Sequence, residues 1–252
     1  SMLLEDIATG RGLDQAAVRD AIDRGPLDPE LALELGLIDG IQYRDEALET
    51  LRETVPGDAE VLSRWSASQP SESSPGILEI LGGGGSRPQT GPRVGVIYLS
   101  GAVMGGGSSS SLFGPQITPG VVRHAVREIR EDDDIRAVVV RIDSPGGSAI
   151  ASDDIWHELI ELRADRPVVA SMGDVAASGG YYIASAATEI LAEPGTLTGS
   201  IGVVGGKIVY GELLDRVDAG HVLLTRGRNA GLLSLAQPFT DSQRRALQTH
   251  ME

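Results

Sequence analysis

Apolar and polar residues follow two different rhythms along the chain. In the first 55 residues, apolar side chains recur at spacings of three and four, which predicts helices over 13–22, 28–38 and 44–55. From residue 92 onward, short apolar runs alternate with amphipathic stretches such as 119–133. Strands that alternate with helices of about 10–15 residues indicate βαβ units, so we expect a largely parallel sheet with right-handed crossovers.

Cap and turn residues give the predicted element boundaries. Asp28 and Pro29 have the pattern of an N-cap followed by a first-turn proline, and Gly36 has that of a helix stop. Ser152 is the predicted cap of the helix in SDDIWHELIELRADR. A further helix is predicted in YYIASAATEI, and strands are predicted in RVGVIYLSG, RAVVVRIDSPGG, PVVASMGDVAASGG, ILAEPGTLTGSIGVVGG and HVLLTRG.

The composition divides the chain into three parts. Residues 1–55 form the helical segment. Residues 56–91 are rich in Ser, Gly and Pro, which predicts a flexible linker around one short apolar stretch, ILEIL at 77–81. Residues 92–252 form the α/β part, so the candidate chemistry is expected there.

The charge and the residue types exclude several kinds of function. The chain has 36 acidic and 21 basic residues, a net charge of −15, and no basic patch, so we expect no binding to nucleic acid. It has no cysteine, which excludes disulfides, thiolate metal sites and a cysteine nucleophile. The sequence contains no metal or nucleotide motif, so we expect no cofactor.

Two turns at the ends of predicted parallel strands carry the candidate chemistry. In DSPGG, Gly146 and Gly147 allow backbone N–H groups to point outward, as an oxyanion hole needs, although an ordinary βα turn has the same composition. In AASGGYY, Ser178 lies between Ala177 and Gly179, where little side-chain bulk would hinder a substrate. Ligands of such sheets bind beyond the carboxyl ends of the strands, so both turns are candidates for one site.

A serine nucleophile needs a base, and the sequence offers only weak candidates near these turns. Asp143 and Asp174 flank them and could orient a partner, although charged loop residues usually face water. The histidines lie in predicted helices, beside a turn or near the chain end, where surface or packing roles are more common; they are His124, His157, His221 and His250.

Two long stretches resemble one known family. IDSPGGS (142–148) and SMGDVAASGGYYIASAATEILAEPGTLTGSIGV (171–203) resemble the signal peptide peptidase A family, the SppA or protease IV serine peptidases, and the similarity covers most of residues 92–245. It implies an α/β fold similar to the Clp protease and crotonase superfamily, a spiral of ββα units, preceded here by the helical N-terminal segment. It also implies an endopeptidase with a Ser-Lys dyad that degrades cleaved signal peptides and other unfolded peptides. Such an enzyme would be membrane-associated, on the extracytoplasmic side.

The resemblance assigns roles to residues of both turns. Ser178 matches the family's nucleophile, and Gly147 matches a glycine that donates its N–H to the oxyanion. Gly179 is a second candidate donor, because it directly follows the serine. The neighbours that we expect to line the peptide-binding groove are Gly146, Ala177 and Gly180.

The lysine base that the resemblance implies is missing. In single-module relatives it follows the serine, and its place here is occupied by Asn229, Ala230 or Gly231. Lys207 is the only lysine of the chain; it lies outside this segment, and we interpret it as a surface or interface residue. The family's long form has two modules, of which the first supplies the lysine and the second the serine. This chain resembles the second, and residues 7–41 resemble the tail that closes the first.

These expectations extend to partners. We expect peptide substrates, and a lysine-bearing module of the same protein or of a neighbouring subunit, within a homo-oligomer. The chain by itself is therefore expected to be weakly active or inactive, and residues 1–50 are expected to pack on a module body. Two alternatives stay open on the sequence: a crotonase-like acyl-CoA enzyme and a non-catalytic assembly module.

Overall fold

A computed structural model divides the chain into two compact units. The first combines Ser1–Ala59 with Val203–Glu252, and the second covers Glu60–Gly202. The structure describes residues 2–54, 91–106, 110–111 and 114–251. The predicted linker, with its ILEIL stretch, lies outside these residues except for Gly91. The three-part division of the sequence stays a prediction.

The described residues form helices and strands in the following order. The helices are α1 Met2–Arg11, α2 Gln15–Arg24, α3 Pro29–Glu34, α4 Arg44–Thr54, α5 Pro119–Glu131, α6 Ala149–Asp165, α7 Gly179–Ala184, α8 Gly211–Arg216 and α9 Asp241–Met251. The strands are β1 Arg93–Ser100, β2 Ala102–Val103, β3 Ser110–Ser111, β4 Gly114–Ile117, β5 Ile135–Ser144, β6 Val168–Ala177, β7 Glu189–Leu191 and β8 Leu197–Gly199.

The first unit begins with short helices whose ends follow local capping chemistry. The Asp28 carboxylate accepts a hydrogen bond from the Leu31 N–H at 2.7 Å, and Gly36 follows α3 with a φ of 71°. The predicted N-cap and helix stop are therefore confirmed. Helix α1 was not predicted, because its apolar pattern contains only one buried pair at the i, i+4 spacing, Leu4 and Ala8.

The second unit is built on a parallel sheet with the strand order β1-β5-β6-β7, and β8 pairs with the far end of β6. Alternate residues of β5 are buried, among them Val138, Val140 and Ile142, and they form one core with apolar residues of α5, α6 and α7. A small sheet of β2, β4 and β3 accompanies the large one. The predicted α/β class with a parallel sheet is confirmed.

A predicted cap residue, a predicted helix end and one predicted strand were wrong. Ser148, not Ser152, caps α6, since its hydroxyl accepts from the Ala151 N–H at 3.3 Å, whereas Ser152 is buried inside the helix. The helix predicted in YYIASAATEI is α7, which already ends at Ala184; the following backbone turns back to the sheet and forms β7. The strand predicted in HVLLTRG is absent, and the described residues 221–226 form neither helix nor strand.

Candidate active site

The turn after β5 presents one free backbone amide. The Val103 N–H donates to the Gly146 carbonyl at 2.9 Å, and the Ser148 N–H donates to the Val103 carbonyl at 2.8 Å. In an extended backbone, alternate residues use opposite edges, so the N–H of the intervening Gly147 points away from β2. No acceptor for this N–H is found among the described residues.

Glycine is required at Gly147 for two reasons. Its φ is 156°, which side chains disfavour, and a Cβ there would collide with the Val103 carbonyl oxygen. The neighbouring Gly146 has a φ of 92°, but its N–H already donates to the Ser144 hydroxyl at 3.1 Å. Gly147 rather than Gly146 therefore has the amide available for a ligand.

Ser178 lies on a sharp turn between β6 and α7. Its φ of 51° and ψ of −119° are unusual for a residue with a side chain and cost about 1–3 kcal/mol. The turn is held by two backbone bonds, from the Ser178 N–H to the Gly199 carbonyl at 2.8 Å and from the Tyr182 N–H to the Ser178 carbonyl at 2.9 Å. The side chain stays partly exposed, which is how a strained strand-to-helix turn presents a nucleophile.

The two turns meet. A Cβ placed on Gly146 would lie 2.9 Å from the Cβ of Ser178 and 2.5 Å from the backbone nitrogen of Gly179. A Cβ placed on Gly179 would lie 3.4 Å from the backbone nitrogen of Gly147. The Gly179 N–H, like that of Gly147, has no acceptor among the residues that the structure describes. A partly exposed hydroxyl thus lies beside two unpaired amides.

The remaining predicted site residues lie at the base of these turns. Ala177 is buried as the last residue of β6 and pairs with Gly199 of β8. Gly180 is buried in α7, and a Cβ there would lie 2.7 Å from the Ser144 carbonyl oxygen. Its hydrogen atom lets α7 approach β5 closely, a packing role that sequence reasoning did not anticipate.

No base accompanies the serine in the described part of the second unit. The Ser178 hydroxyl has no hydrogen-bond partner there, and this unit contains no lysine. His124 lies exposed on α5 beside Glu128, with 3.5 Å between the imidazole nitrogen and the carboxylate. Asp174 is exposed, and Asp143 accepts a hydrogen bond from the Val175 N–H at 3.2 Å.

Lys207, interpreted from the sequence as a surface or interface residue, is half-buried and has a defined role within the first unit. Its partly buried ammonium donates to the carbonyls of Leu232 and Ser234, at 3.1 and 2.8 Å, and lies 4.3 Å from the centre of the Phe239 ring. The only lysine of the chain therefore fixes the 232–239 segment. Sequence reasoning missed this because carbonyl acceptors leave no trace in residue type.

Asn229, one of the three residues that could occupy the place of the expected lysine, also has structural contacts. It is buried; its amide donates to the Gly25 carbonyl at 2.8 Å and accepts from the Ser242 hydroxyl at 2.9 Å. The next backbone N–H upstream, that of Arg228, donates to the Asp23 carboxylate at 3.0 Å. These bonds join the N-terminal helices to the C-terminal part of the same unit.

Several known proteins are similar in sequence to this chain. A serine protease SPPA of the chloroplast from Arabidopsis thaliana is 36% identical over 237 residues, which are 91% of this chain and 33% of that protein. The model of Peptidase family S49 matches residues 160–252. Together, these matches support an SppA-family peptidase. Another SppA-type relative, Protease 4 of Salmonella typhi, is 46% identical over 117 residues, 46% of this chain and 18% of its own length. The chain thus spans a third or less of these relatives.

Solved structures give a weaker likeness. A 1510-N membrane-bound stomatin-specific protease, in complex with a substrate peptide, is 27% identical and has a TM-score of 0.36; the match covers 47% of this chain and 49% of that one. ClpP1 from Listeria monocytogenes is 17% identical, with a TM-score of 0.32 and coverage of 41% and 53%. The α/β fold of the second unit, with its parallel sheet, agrees with the expected Clp protease and crotonase-like class.

Proposed function

We propose that the chain is the serine-bearing module of an SppA-type endopeptidase, with Ser178 as its nucleophile. The observation that carries the proposal is the meeting of the Ser178 turn with the two unpaired amides of Gly147 and Gly179. In peptide hydrolysis, the serine Oγ attacks the scissile carbonyl carbon, and its proton passes to a base. The two N–H groups hold the oxyanion of the tetrahedral intermediate. Collapse breaks the C–N bond, the amine leaves with the proton, and water then hydrolyses the acyl ester.

The substrates we propose are extended, unfolded peptides, of which cleaved signal peptides are one source. Gly147 supports this, because it is exposed, carries no side chain and lies beside the Ser178 turn, where a peptide backbone could approach. Backbone amides and carbonyls can bind such a peptide whatever its side chains, as in strand addition. The site would therefore select peptides by their extended backbone rather than by one particular side chain.

The base is proposed to come from a lysine-bearing SppA module, in the same protein or in a neighbouring subunit of a homo-oligomer. Two observations support this. Both Lys207 and Asn229 are engaged in structural bonds, and large apolar side chains are exposed in the 201–235 region, as is common where a partner binds. The most exposed of them are Ile208, Val222, Leu224 and Leu233, and Val204 is fully exposed. The isolated chain would then be weakly active at most.

The cellular location stays a prediction from the resemblance. Membrane association on the extracytoplasmic side is what an SppA-type function would require. Among the described helices, none has the length and the apolar composition needed to cross a membrane.

The proposal is tested with a fluorophosphonate probe and a fluorogenic apolar peptide. The full translation product that contains this chain should be labelled and should cleave the peptide, and Ser178→Ala should abolish both, because the attacking oxygen is gone. The 252-residue chain alone should react at least about 100-fold more slowly, since base catalysis contributes about 10²–10⁴.

Two results would contradict the proposal in different ways. Labelling that persists in Ser178→Ala would show that Ser178 is not the nucleophile, and a complete lack of reaction in the full product would indicate a non-catalytic assembly module. A chain that reacts alone as fast as the full product would show that its base lies within these 252 residues.

A further inference from the structure

An irregularity in β6 lies directly before Ser178. Ile142 of β5 faces Met172 of β6, and the next paired residues are Ser144 and Ala176. Residues 173–175 therefore face a single residue of β5, Asp143. This three-to-one arrangement is a β-bulge, and we call it the 173–175 bulge. Bulges bend a strand and change where its following residues point, and they are common beside active sites.

Side chains hold the backbone through the whole bulge. Four polar backbone groups between residues 172 and 176 are bound by side chains of β5, of β8 and of the loop before β8. The bonds run from Arg141 to the Met172 carbonyl at 2.8 Å, from Thr196 to the Gly173 carbonyl at 2.8 Å, from the Val175 N–H to Asp143 at 3.2 Å, and from Thr198 to the Ala176 carbonyl at 2.8 Å.

The holding side chains are themselves connected. The Arg141 guanidinium also donates to the Glu193 carboxylate at 3.1 Å, and the Glu193 N–H donates to the Thr196 hydroxyl at 3.0 Å. Gly173 fits closely beneath them, since a Cβ there would lie 3.1 Å from the Cβ of Asp143. The bulge is thus a specified structure, because irregular backbone without such partners would leave polar groups unpaired.

We propose that Asp143 and Thr196 are positioning residues for Ser178, which act by fixing the 173–175 bulge. The inference rests on the proposed function of Ser178. From Val175, the last residue of the bulge, β6 pairs with β8, and this pairing ends at the bond from the Ser178 N–H to the Gly199 carbonyl. The bulge therefore sets the place of the Ser178 turn against the Gly147 amide. Reaction rates are sensitive to such placement, and a shift of about 1 Å can cost about 10²-fold.

Paired variants of Asp143 separate its hydrogen bond from its charge. Asp143→Asn keeps an oxygen that can accept from the Val175 N–H, whereas Asp143→Ala does not. In the full translation product, we expect Asp143→Ala to lower the rate of fluorophosphonate labelling about tenfold and Asp143→Asn to stay within about threefold of the parent. An equal loss in both variants would overturn the proposal, because it would assign the effect to the carboxylate charge.

Thr196 offers a second pair of variants. Thr196→Val removes the hydroxyl at nearly constant volume, whereas Thr196→Ser keeps it. Labelling should fall in the first and not in the second, and the combined Asp143→Ala/Thr196→Val variant should lose less than the product of the single losses, because both act on one bulge. Multiplicative losses would show that the two residues act separately.

Hydrogen exchange keeps this inference distinct from the proposed function. Exchange of the Val175 amide should speed up in Asp143→Ala and not in Asp143→Asn, whether or not the protein is labelled. Unchanged exchange and labelling in Asp143→Ala would overturn the positioning role. If the Val175 amide exchanges as expected in both Asp143 variants but labelling does not depend on Ser178, the assignment of Ser178 as the nucleophile would instead be contradicted.

Discussion

The candidate site depends on a few residues with backbone angles that most amino acids rarely adopt. Ser178 takes a positive φ despite its side chain, and Gly146 and Gly147 take positive φ where the two turns meet. The strain at Ser178 is offset by the backbone bonds of its turn, to Gly199 and from Tyr182. Glycine at position 147 has a double purpose, because it avoids the Val103 carbonyl and leaves its own N–H free.

Gly147→Ala should therefore damage stability and activity together. The new Cβ would collide with the Val103 carbonyl at an unfavourable φ, and we expect a loss of more than about 2 kcal/mol in the free energy of unfolding. The labelling rate of the folded fraction should fall about 10²-fold, as when an oxyanion donor is lost. Gly120→Ala is the control, since a Cβ there meets no atom within 4 Å. A Gly147→Ala protein with normal stability and labelling would disprove this role.

At the scale of elements, the sequence predicted much of the fold, and the exceptions have physical reasons. Periodicity and capping residues predicted α2, α3 and the parallel strands, because these depend on local patterns of burial. The 173–175 bulge was not predicted, since its partners Arg141 and Thr196 lie 31 and 23 residues along the chain from the carbonyls that they bind. The Ser178 and Gly147 turns were recognised from resemblance and from glycine content, but only the coordinates reveal which amides are free.

Asn229 permits a test of how the first unit holds its elements together. Asn229→Ala would leave the half-buried Gly25 carbonyl and Ser242 hydroxyl without their buried partner, so we expect the free energy of unfolding to fall by about 1–3 kcal/mol. Arg228→Ala is the matched control, because its exposed side chain is removed while its N–H still donates to Asp23. Urea unfolding measures both, and equal stabilities of the two variants would contradict the structural role of Asn229.

At the scale of the molecule, the two compact units contain different candidate residues. The second holds the Ser178 turn and the free amides, and the first holds Lys207 and Asn229. Within the first unit, the N-terminal helices bond to the C-terminal part through Arg228 and Asn229. Composition alone did not find this division, because the first unit combines segments from both ends of the chain.

This division predicts unequal responses to a substitution in one unit. Trp156 packs against the core of the second unit, so its fluorescence follows that unit, whereas far-ultraviolet circular dichroism follows both. Asn229→Ala should lower the urea midpoint seen by circular dichroism and leave the fluorescence midpoint unchanged. An equal shift of both midpoints would show that the two units unfold as one.

The bulge before Ser178 has a consequence for the parity of the strand. Three residues stand where one would suffice, so the surplus is two, and an even surplus preserves which side chains of β6 face inward. Deleting one residue from 173–175 would move the side chain of Ala176, and likewise that of Ala177, from its present face of the sheet to the other face. Deleting two residues would keep each side chain on its present face of the sheet. It would, however, move Ser178 back along the strand by about 7 Å, the length of two residues. Only insertions or deletions in pairs are therefore compatible with the core, and only the present length reaches the amides.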